Sequence, residues 1–362
     1  MNSSREEVSR LAAAATVPVS VHRLDPDDPG AVDRWDAFVE TCQEATFFHK
    51  SGWQRIMREV FGHRTHFLYA ERAGVVEGVL PLAQVKSLLF GNTLVSLPFA
   101  VYGGVAASSP AAAAALEMEA QVIAKRLGVA HLELRNTQQR HPEWPLQDLY
   151  VRFRKEIAPE VEANMLAIPR KQRAMVRKGI KHGLTSEIDR DPGRFFALYA
   201  DNVHRHGTPA LPRRYFDALQ RVFGSDCEVL TVVDGAGRSL STVMSFYFRD
   251  EVLPYYAGDE LSARELAAND FKYWELMRRS CERGLRVFDY GRSKQGTGSY
   301  AFKKNWGFEP QPLFYEYCLY RRDAIPQNNP SNAKYRLLID TWRRMPIGLA
   351  NWLGPFIVRN LG

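Results

Sequence analysis

Several common signatures of chemistry are absent from this sequence. Its four cysteines lie far apart and form no C-x-x-C pair: Cys42, Cys227, Cys281 and Cys318. This spacing argues against zinc and disulfide frameworks and predicts free core thiols in a reducing compartment. The sequence also contains no Gly-x-Ser-x-Gly elbow, no His-Glu-x-x-His motif and no dinucleotide fingerprint. It therefore argues against the common hydrolase and metalloprotease chemistries, and it predicts no metal site.

Long apolar runs are absent as well. No stretch reaches the ~20 consecutive apolar residues that span a bilayer. The alanines near the N-terminus follow Glu6 and Glu7, and their run is too short and too weakly hydrophobic for a secretory signal. We therefore expect a cytoplasmic protein.

The composition is that of a globular protein with an excess of positive charge. A chain of 362 residues suggests two domains, and a hydrophobic share of 45% is enough to build a full core in each. The net charge of +7 and the pI near 9.2 favour anionic partners, such as phosphates, RNA or an acidic membrane surface.

Helices and strands alternate along the chain, and the second half repeats the order of the first. In each half a meander of strands precedes a helix, a glycine stop and a strand. Residues 125–135 read K-R-L-G-V-A-H-L-E-L-R, and residues 282–292 read E-R-G-L-R-V-F-D-Y-G-R. The recurrence over ~150 residues predicts an α/β protein with a duplicated domain. We place the domains at residues 18–156, with 149–153 as the last strand, and 157–325.

The most informative stretch is residues 285–308. Asp289 lies in a short β-rich run that stops at a glycine, and Arg292 and Ser293 follow it. A Gly-rich loop then leads to a short helix that carries Lys303 and Lys304. A carboxylate at a strand end with a dense set of cations suits an anionic or acyl-bearing ligand. An aspartate–arginine pair that braces a turn, with solvated lysines behind it, remains the alternative.

A basic helix is predicted between the two halves, in I-P-R-K-Q-R-A-M-V-R-K-G-I-K-H-G. On a helical wheel Met175, Val176 and Ile180 fall on one side. Six cations fall on the other side: Arg170, Lys171, Arg173, Arg177, Lys178 and Lys181. A solvated face normally mixes charges of both signs, and this face has no carboxylate, so we favour a phosphate-binding surface over an ordinary solvated face.

The C-terminal tail, residues 331–362, combines aromatic and basic residues. Trp342, Trp352 and Phe356 occur among four arginines, and Pro346 divides the segment in two. The pattern fits either an interfacial amphipathic segment or a terminal helix packed on the preceding domain. In the second half, Tyr256 ends a strand, where it would either touch substrate or pack in the core.

Three of these motifs together resemble a known family. The D-Y-G-R-S run followed by S-Y-A-F-K-K-N-W-G-F resembles the closing signature of FemAB-type transferases. The basic stretch resembles the helix that opens their second domain, and T-F-F-H-K-S-G-W-Q, which begins at Thr46, resembles an early motif of their first domain. The whole pattern is similar to the exosortase-associated branch, found with exopolysaccharide systems. The resemblance implies two tandem GCN5-related N-acetyltransferase (GNAT) domains, here followed by the C-terminal helical tail.

The resemblance also implies a reaction, in which an acyl or aminoacyl group moves to an amine, often on a cell-wall (peptidoglycan) precursor. By its place in the F-K-K motif, Lys303 is expected to stabilise charge, with Lys304 second. Asp289 would orient the amine or accept its proton, and Arg292 would grip a phosphate or a carboxylate. The remaining candidates for substrate binding are Ser293, Tyr256, Arg170, Arg173, Arg177 and Lys178.

No cofactor is expected, because the acyl donor is a co-substrate, either an aminoacyl-tRNA or an acyl-CoA. The chain lacks the coiled-coil arm of the better-known cell-wall members, a candidate tRNA contact. Its R-S-K-Q-G-T-G run only approximates the usual pyrophosphate loop of acyl-CoA enzymes. The expected partners are an anionic, lipid-linked glycan precursor, a tRNA and the inner face of the membrane through the tail, but not DNA. The alternative is a non-catalytic GNAT-like module that binds an anionic glycan or a lipid-linked intermediate.

Overall fold

The computed structural model describes residues 17–87, 91–326 and 333–360. Within these ranges the chain forms two compact units. The first contains residues 17–147 and 314–325, and the second contains residues 148–313, residue 326 and residues 333–360.

The strands, numbered along the chain, are β1 (Ser20–Arg23), β2 (Arg64–Arg72), β3 (Val75–Ser87), β4 (Gly91–Ser96), β5 (Ala106–Ala107), β6 (His131–Asn136), β7 (Leu146–Gln147), β8 (Tyr150–Glu156), β9 (Thr185–Asp189), β10 (Cys227–Val233), β11 (Ser239–Phe248), β12 (Glu251–Asp259), β13 (Val287–Lys294), β14 (Pro310–Pro312) and β15 (Phe314–Leu319). The α-helices are α1 (Pro29–Thr41), α2 (Gly52–Glu59), α3 (Pro110–Leu127), α4 (Val161–Ala167), α5 (Arg170–Lys181), α6 (Gly193–Arg205), α7 (Arg213–Phe223), α8 (Ala268–Glu282), α9 (Gly298–Asn305), α10 (Ala333–Arg344) and α11 (Ile347–Val358).

The first unit is built on a mixed sheet with the strand order β1-β2-β3-β4-β6-β15-β7, in which β5 pairs with β3. Its strands pair antiparallel, except that β4 and β6 are parallel. The helix α3 covers this sheet, and its Ala112, Leu116 and Ala120 are buried at helical spacing in the core. The Ser109 hydroxyl accepts the Ala112 N–H at 3.2 Å and so caps the start of the helix.

The second unit has a sheet of the order β14-β8-β13-β12-β11-β10-β9. Among its described strands, β12 and β13 are the one pair that runs parallel. Large aromatic side chains from β8, β13 and the chain after α9 fill its core: Phe153, Phe288, Tyr290, Trp306 and Phe308. Burial of such side chains supplies most of the favourable free energy of folding.

Two strands, β8 and β15, do not belong to the unit that their position in the sequence predicted. We predicted residues 149–153 as the last strand of the first domain, but β8 pairs with β13 and β14 of the second unit. Conversely, β15 falls inside the predicted second domain, yet it pairs with β6 and β7 of the first unit. The buried Glu316 carboxylate of β15 accepts the Asn136 side-chain amide at 2.5 Å and the His141 N–H at 2.7 Å. Pairing of distant strands leaves no signal in the local sequence, so the predicted limits at residues 156 and 325 differ from those of the compact units.

The predicted fold class is confirmed: the structure is α/β with two mixed sheets, and its C-terminal part is helical in α10 and α11. Residues 331–332 and 361–362 of the predicted tail lie outside the described ranges, and so does the side chain of Arg336. None of the helices in the described residues combines the length and the apolar character that crossing a bilayer requires.

Candidate active site

The central feature of the second unit is a parting between two neighbouring strands. In the described residues β12 and β13 pair only where they begin, at Glu251 with Val287 and at Val252 with Phe288. Beyond these positions β12 stays paired with β11, and β13 stays paired with β8. The facing edges of the two strands therefore present backbone groups that can hydrogen-bond an extended ligand.

A bulge in β13 lies beside this parting. The register against β8 shifts between Asp289 and Arg292, which adds one residue to β13. The Asp289 carboxylate accepts the Gly291 N–H at 2.7 Å, and Gly291 has φ +60°, a conformation that favours glycine. The Nε of Arg154 lies 4.0 Å from the other carboxylate oxygen of Asp289. Asp289 therefore braces the bulge, and Arg154 is a charged neighbour of its carboxylate.

Lys303 reaches the bulge from α9. Its Nζ donates to the carbonyls of Tyr290 at 2.6 Å, Arg292 at 3.1 Å and Gly291 at 3.4 Å. The side chain is buried, and the Nζ lies 5.7 Å from the ring centroids of Phe153 and Tyr290. Burial lowers the pKa of Lys303 to about 8, against the opposing charge of Asp289. All three hydrogens of the ammonium group thus have carbonyl acceptors, and the contact with Gly291 is the longest.

The structure brings Lys303, Asp289, Arg292 and Ser293 together around the bulge. The guanidinium of Arg292 lies 4.8 Å above the ring of Tyr150. The Ser293 hydroxyl is buried and has no hydrogen-bond partner among the described residues. Lys304 is exposed, and its Nζ lies 6.0 Å from the Tyr300 ring. The two lysines of the F-K-K motif therefore have different environments, and only Lys303 contacts the bulge.

Tyr256 lies on the part of β12 that has left β13. Its hydroxyl is 2.9 Å from the hydroxyl of Tyr215, and its ring packs edge-to-face on Phe216 and Tyr199. Burial raises the pKa of Tyr256 well above its usual value, so the phenol stays neutral. Of the two interpretations of this residue, its contacts favour packing.

The basic helix α5 lies on α8, and a glycine sets their distance. Gln172, Val176 and Gly179 are buried, and a Cβ at Gly179 would lie only 2.8 Å from Cβ of Phe271. Larger residues at this position would therefore push the helices apart. The predicted apolar face was partly wrong, since Ile180 is 49% exposed. The wheel counted apolar side chains, whereas close packing at this interface selects the small Gly179 and the hydrogen-bonding Gln172.

The cations of α5 lie on its outer side, as the wheel predicted. Arg170, Arg177 and Lys178 are exposed, and Arg173 is half-buried. Within residues 17–87, 91–326 and 333–360, none of these four side chains forms an ion pair or a hydrogen bond through its charged group. The structure therefore gives α5 an uncompensated positive face.

Two further polar groups position this region, and we did not predict either. Arg154 donates to the carboxylate of Glu251, whose pKa is raised by burial despite this contact. The alternation of cations in V-R-F-R-K-E was a signal for Arg154. The buried Asp270 accepts the indole N–H of Trp306 at 3.0 Å and the Gln172 amide at 3.3 Å. This carboxylate ties α5, α8 and the chain after Lys303 together, and a single buried aspartate gives no signal in the sequence.

Comparisons with known proteins show which fold this chain shares. Residues 170–304, which include α5, the bulge and Lys303, match the family described as an acetyltransferase (GNAT) domain. The solved structure of FemX is 15% identical and superposes with a TM-score of 0.64, covering 82% of this chain and 97% of FemX. A tandem GNAT protein from the clavulanic acid biosynthesis pathway is 12% identical with a TM-score of 0.51, covering 85% of this chain and 100% of that chain. The fold is a tandem GNAT fold.

A third structure agrees with this fold. L-PGS from Bacillus licheniformis is 12% identical with a TM-score of 0.56, covering 88% of this chain and 98% of that chain. No curated protein sequence matches the chain. At these identities the likeness extends to the tandem GNAT fold alone, and the chemistry has to be argued from the site.

Proposed function

We propose that this chain is an N-acyltransferase or aminoacyltransferase that modifies an amine on a cell-envelope or exopolysaccharide precursor. The proposal rests on the separation of β12 from β13, with the buried ammonium group of Lys303 beside it. This separation lies within the residues that match a GNAT domain. The similarity of the motifs to the exosortase-associated FemAB branch suggests the polysaccharide acceptor.

The proposed reaction is a nucleophilic acyl substitution. The acceptor amine attacks the acyl carbonyl, its nitrogen loses a proton, and the carbonyl oxygen becomes an oxyanion. Collapse of this intermediate expels the alkoxide or thiolate of the donor, which takes up a proton. In this scheme the Lys303 ammonium exchanges its long contact with the Gly291 carbonyl for the oxyanion. Asp289 keeps the bulge in place and favours the charged form of Lys303.

The acceptor is proposed to carry phosphate. The exposed Arg170, Arg177 and Lys178 and the half-buried Arg173 have no ion-pair partners among the described residues, so they are free to bind phosphate oxygens. Beside the bulge, Arg292 and Ser293 are proposed to bind phosphate oxygens as well.

The tail is proposed to place the enzyme on a membrane. One face of α11 packs on the second unit through Ala350, Gly354 and Val358. On the opposite face Leu349, Trp352 and Phe356 are 45%, 64% and 58% exposed. The helix contains no charged residue, and arginines flank it: Arg343, Arg344 and Arg359. An apolar stripe between cations fits an anionic membrane surface, where a lipid-linked precursor would be met.

The donor is proposed to be an aminoacyl-tRNA or an acyl-CoA, which acts as a co-substrate. The start of α8, beside the parted β12, carries Asp270 in its first turn, and Glu265 precedes it. Carboxylates there compete with a pyrophosphate for the positive end of the helix dipole. This arrangement favours the tRNA donor.

One observation favours the alternative, a non-catalytic module that binds an anionic glycan. The three N–H groups of Lys303 already have carbonyl acceptors. A module of this kind would use the positive face of α5 without turning over any donor.

The proposal is tested by mass spectrometry of envelope polysaccharides from cells with the protein, without it, and with Lys303→Ala. We expect an acyl or aminoacyl mass on an amine that only the wild-type protein adds. Purified protein supplied with acyl-CoA or with aminoacyl-tRNA then identifies the donor. Identical polysaccharides in all three strains, with the folded protein present, would support the binding module instead.

A further inference from the structure

The first unit contains a cavity of about 360 Å³ at the edge strand β1, where α2 ends and β2 begins. Its polar lining consists mainly of Arg23, Asp25, Gln54, Arg58, Arg64 and Thr65. Three strand spacings, roughly 14 Å, separate β1 from β4, which in this unit pairs in parallel with β6. The cavity is therefore separate from the parallel pair β4–β6.

The three arginines that line this cavity, Arg23, Arg58 and Arg64, are exposed at its surface and have no ion-pair partner among the described residues. Burial, followed by the charges of Arg64, Arg126 and Arg58, lowers the pKa of Arg23. In the described residues none of these four arginines forms an ion pair, and Arg23 donates to the carbonyl of Thr65. Asp25, the carboxylate of the lining, accepts the Asp27 N–H at 3.0 Å. Because like charges repel, a cluster of this kind is stabilised when an anion binds.

A buried hydrogen-bond acceptor beside the arginines limits which anions the cavity would bind. Gln54 is 2% exposed, and its amide nitrogen donates to the Leu24 carbonyl at 3.2 Å and to the Thr65 hydroxyl at 3.3 Å. The Leu24 carbonyl requires a donor, which fixes the orientation of the amide. The Gln54 Oε1 is then left buried without a partner among the described residues. Only a hydrogen-bond donor can satisfy it.

We propose that this cavity binds a phosphate-type anion that carries a hydroxyl hydrogen. The guanidinium groups of Arg23, Arg58 and Arg64 bind the phosphate oxygens, and the Gln54 Oε1 accepts the hydroxyl hydrogen. Two ligands share this chemistry: hydrogen phosphate itself, and a phosphate ester of a polyol. The cavity is larger than a bare phosphate requires, which favours the ester. Nothing in this inference depends on acyl transfer in the second unit.

Calorimetric titration of the full chain with inorganic phosphate, glycerol 3-phosphate and sulfate tests the proposal. Arg58→Gln and Arg64→Gln are each expected to weaken phosphate binding about tenfold or more, since each removes a charge-assisted hydrogen bond. Arg55→Gln is the matched control, because Arg55 is exposed on the same helix as Arg58 and does not line the cavity. Tighter binding of glycerol 3-phosphate would identify the ligand as a phosphate ester, and tighter binding of inorganic phosphate would identify it as phosphate itself.

Sulfate tests the role of Gln54, because sulfate carries no hydrogen at neutral pH. Wild-type protein is expected to prefer phosphate to sulfate, and Gln54→Leu is expected to lose that preference. Equal binding of sulfate and phosphate by the wild type would overturn the acceptor role. Absence of heat with both phosphate ligands, or equal losses in Arg55→Gln and Arg58→Gln, would overturn the site. The arginine comparison remains decisive if Gln54→Leu does not fold.

Discussion

Lys303 is a buried cation held by three backbone carbonyls, and its pKa of about 8 makes its charge sensitive to pH. If its ammonium form stabilises the oxyanion, Lys303→Ala is expected to lower turnover ~10²–10³-fold.

The charge of Lys303 also predicts a pH dependence. Since only the protonated form can act, wild-type turnover is expected to fall as pH rises through 8. Lys303→Arg, which stays charged, is expected to remove this fall. Steady-state rates between pH 6 and 10 measure both effects. Wild-type turnover in a folded Lys303→Ala protein would restrict Lys303 to bracing the bulge.

Substitution of Asp289 provides a second test of the role of the Lys303 charge. Its negative charge raises the pKa of Lys303, so Asp289→Asn is expected to lower that pKa and to move the fall in turnover to lower pH. The asparagine oxygen can still accept the Gly291 N–H, whereas Asp289→Ala loses that contact and is expected to cost about 1–3 kcal/mol of stability. The pH–rate profile and thermal melts measure the two effects. An unshifted profile in Asp289→Asn would show that the two charges are not coupled.

At the scale of a helix, the uncompensated face of α5 is the feature with the clearest consequence. Arg173→Gln combined with Arg177→Gln is expected to weaken binding of a phosphate-bearing substrate, more at low salt than at high salt. The matched control removes two exposed charges without ion-pair partners among the described residues of the second unit, through Arg190→Gln and Arg286→Gln. Titrations at two salt concentrations compare the pairs. Equal losses in both double variants would reduce the effect to net charge and return α5 to a solvated face.

Elements with a strong local signal were predictable from the sequence, and contacts between distant elements were not. The cationic side of α5 follows from its periodicity, and the turn at Gly291 follows from the residue type. The contact between Asp289 and Arg154 was not predictable, because Arg154 lies on a strand more than a hundred positions earlier. For the same reason the sequence places Lys303 on a short helix after the Gly-rich loop, but it does not reveal that the ammonium group contacts three carbonyls of the bulge.

At the scale of the whole molecule, the exposed apolar stripe of α11 is the surface that we propose to meet a membrane. We expect the intact protein to sediment with anionic vesicles, and we expect salt to reduce the binding because the flanking arginines contribute to it. Trp352→Ser with Phe356→Ser is expected to abolish sedimentation without loss of stability, since both rings are more than half exposed. Leu166→Ser with Leu261→Ser is the control, because these exposed apolar residues lie outside α11. Removing the tail would be a poorer test, since Ala350 and Val358 are buried against the second unit.

The position of β15 in the first sheet has a consequence for how the cell makes this protein. The strand lies between β6 and β7, yet it is encoded after nearly the whole second unit. At typical rates of translation, roughly 10–40 s separate the synthesis of Asn136 from that of its partner Glu316. Throughout this interval the nascent chain carries an open edge in the middle of its first sheet, which invites aggregation between neighbouring ribosomes. The first sheet is therefore completed only after the sheet strands of the second unit have been made, and a premature stop shortly before codon 314 would leave the first sheet without β15 as well as remove α10 and α11.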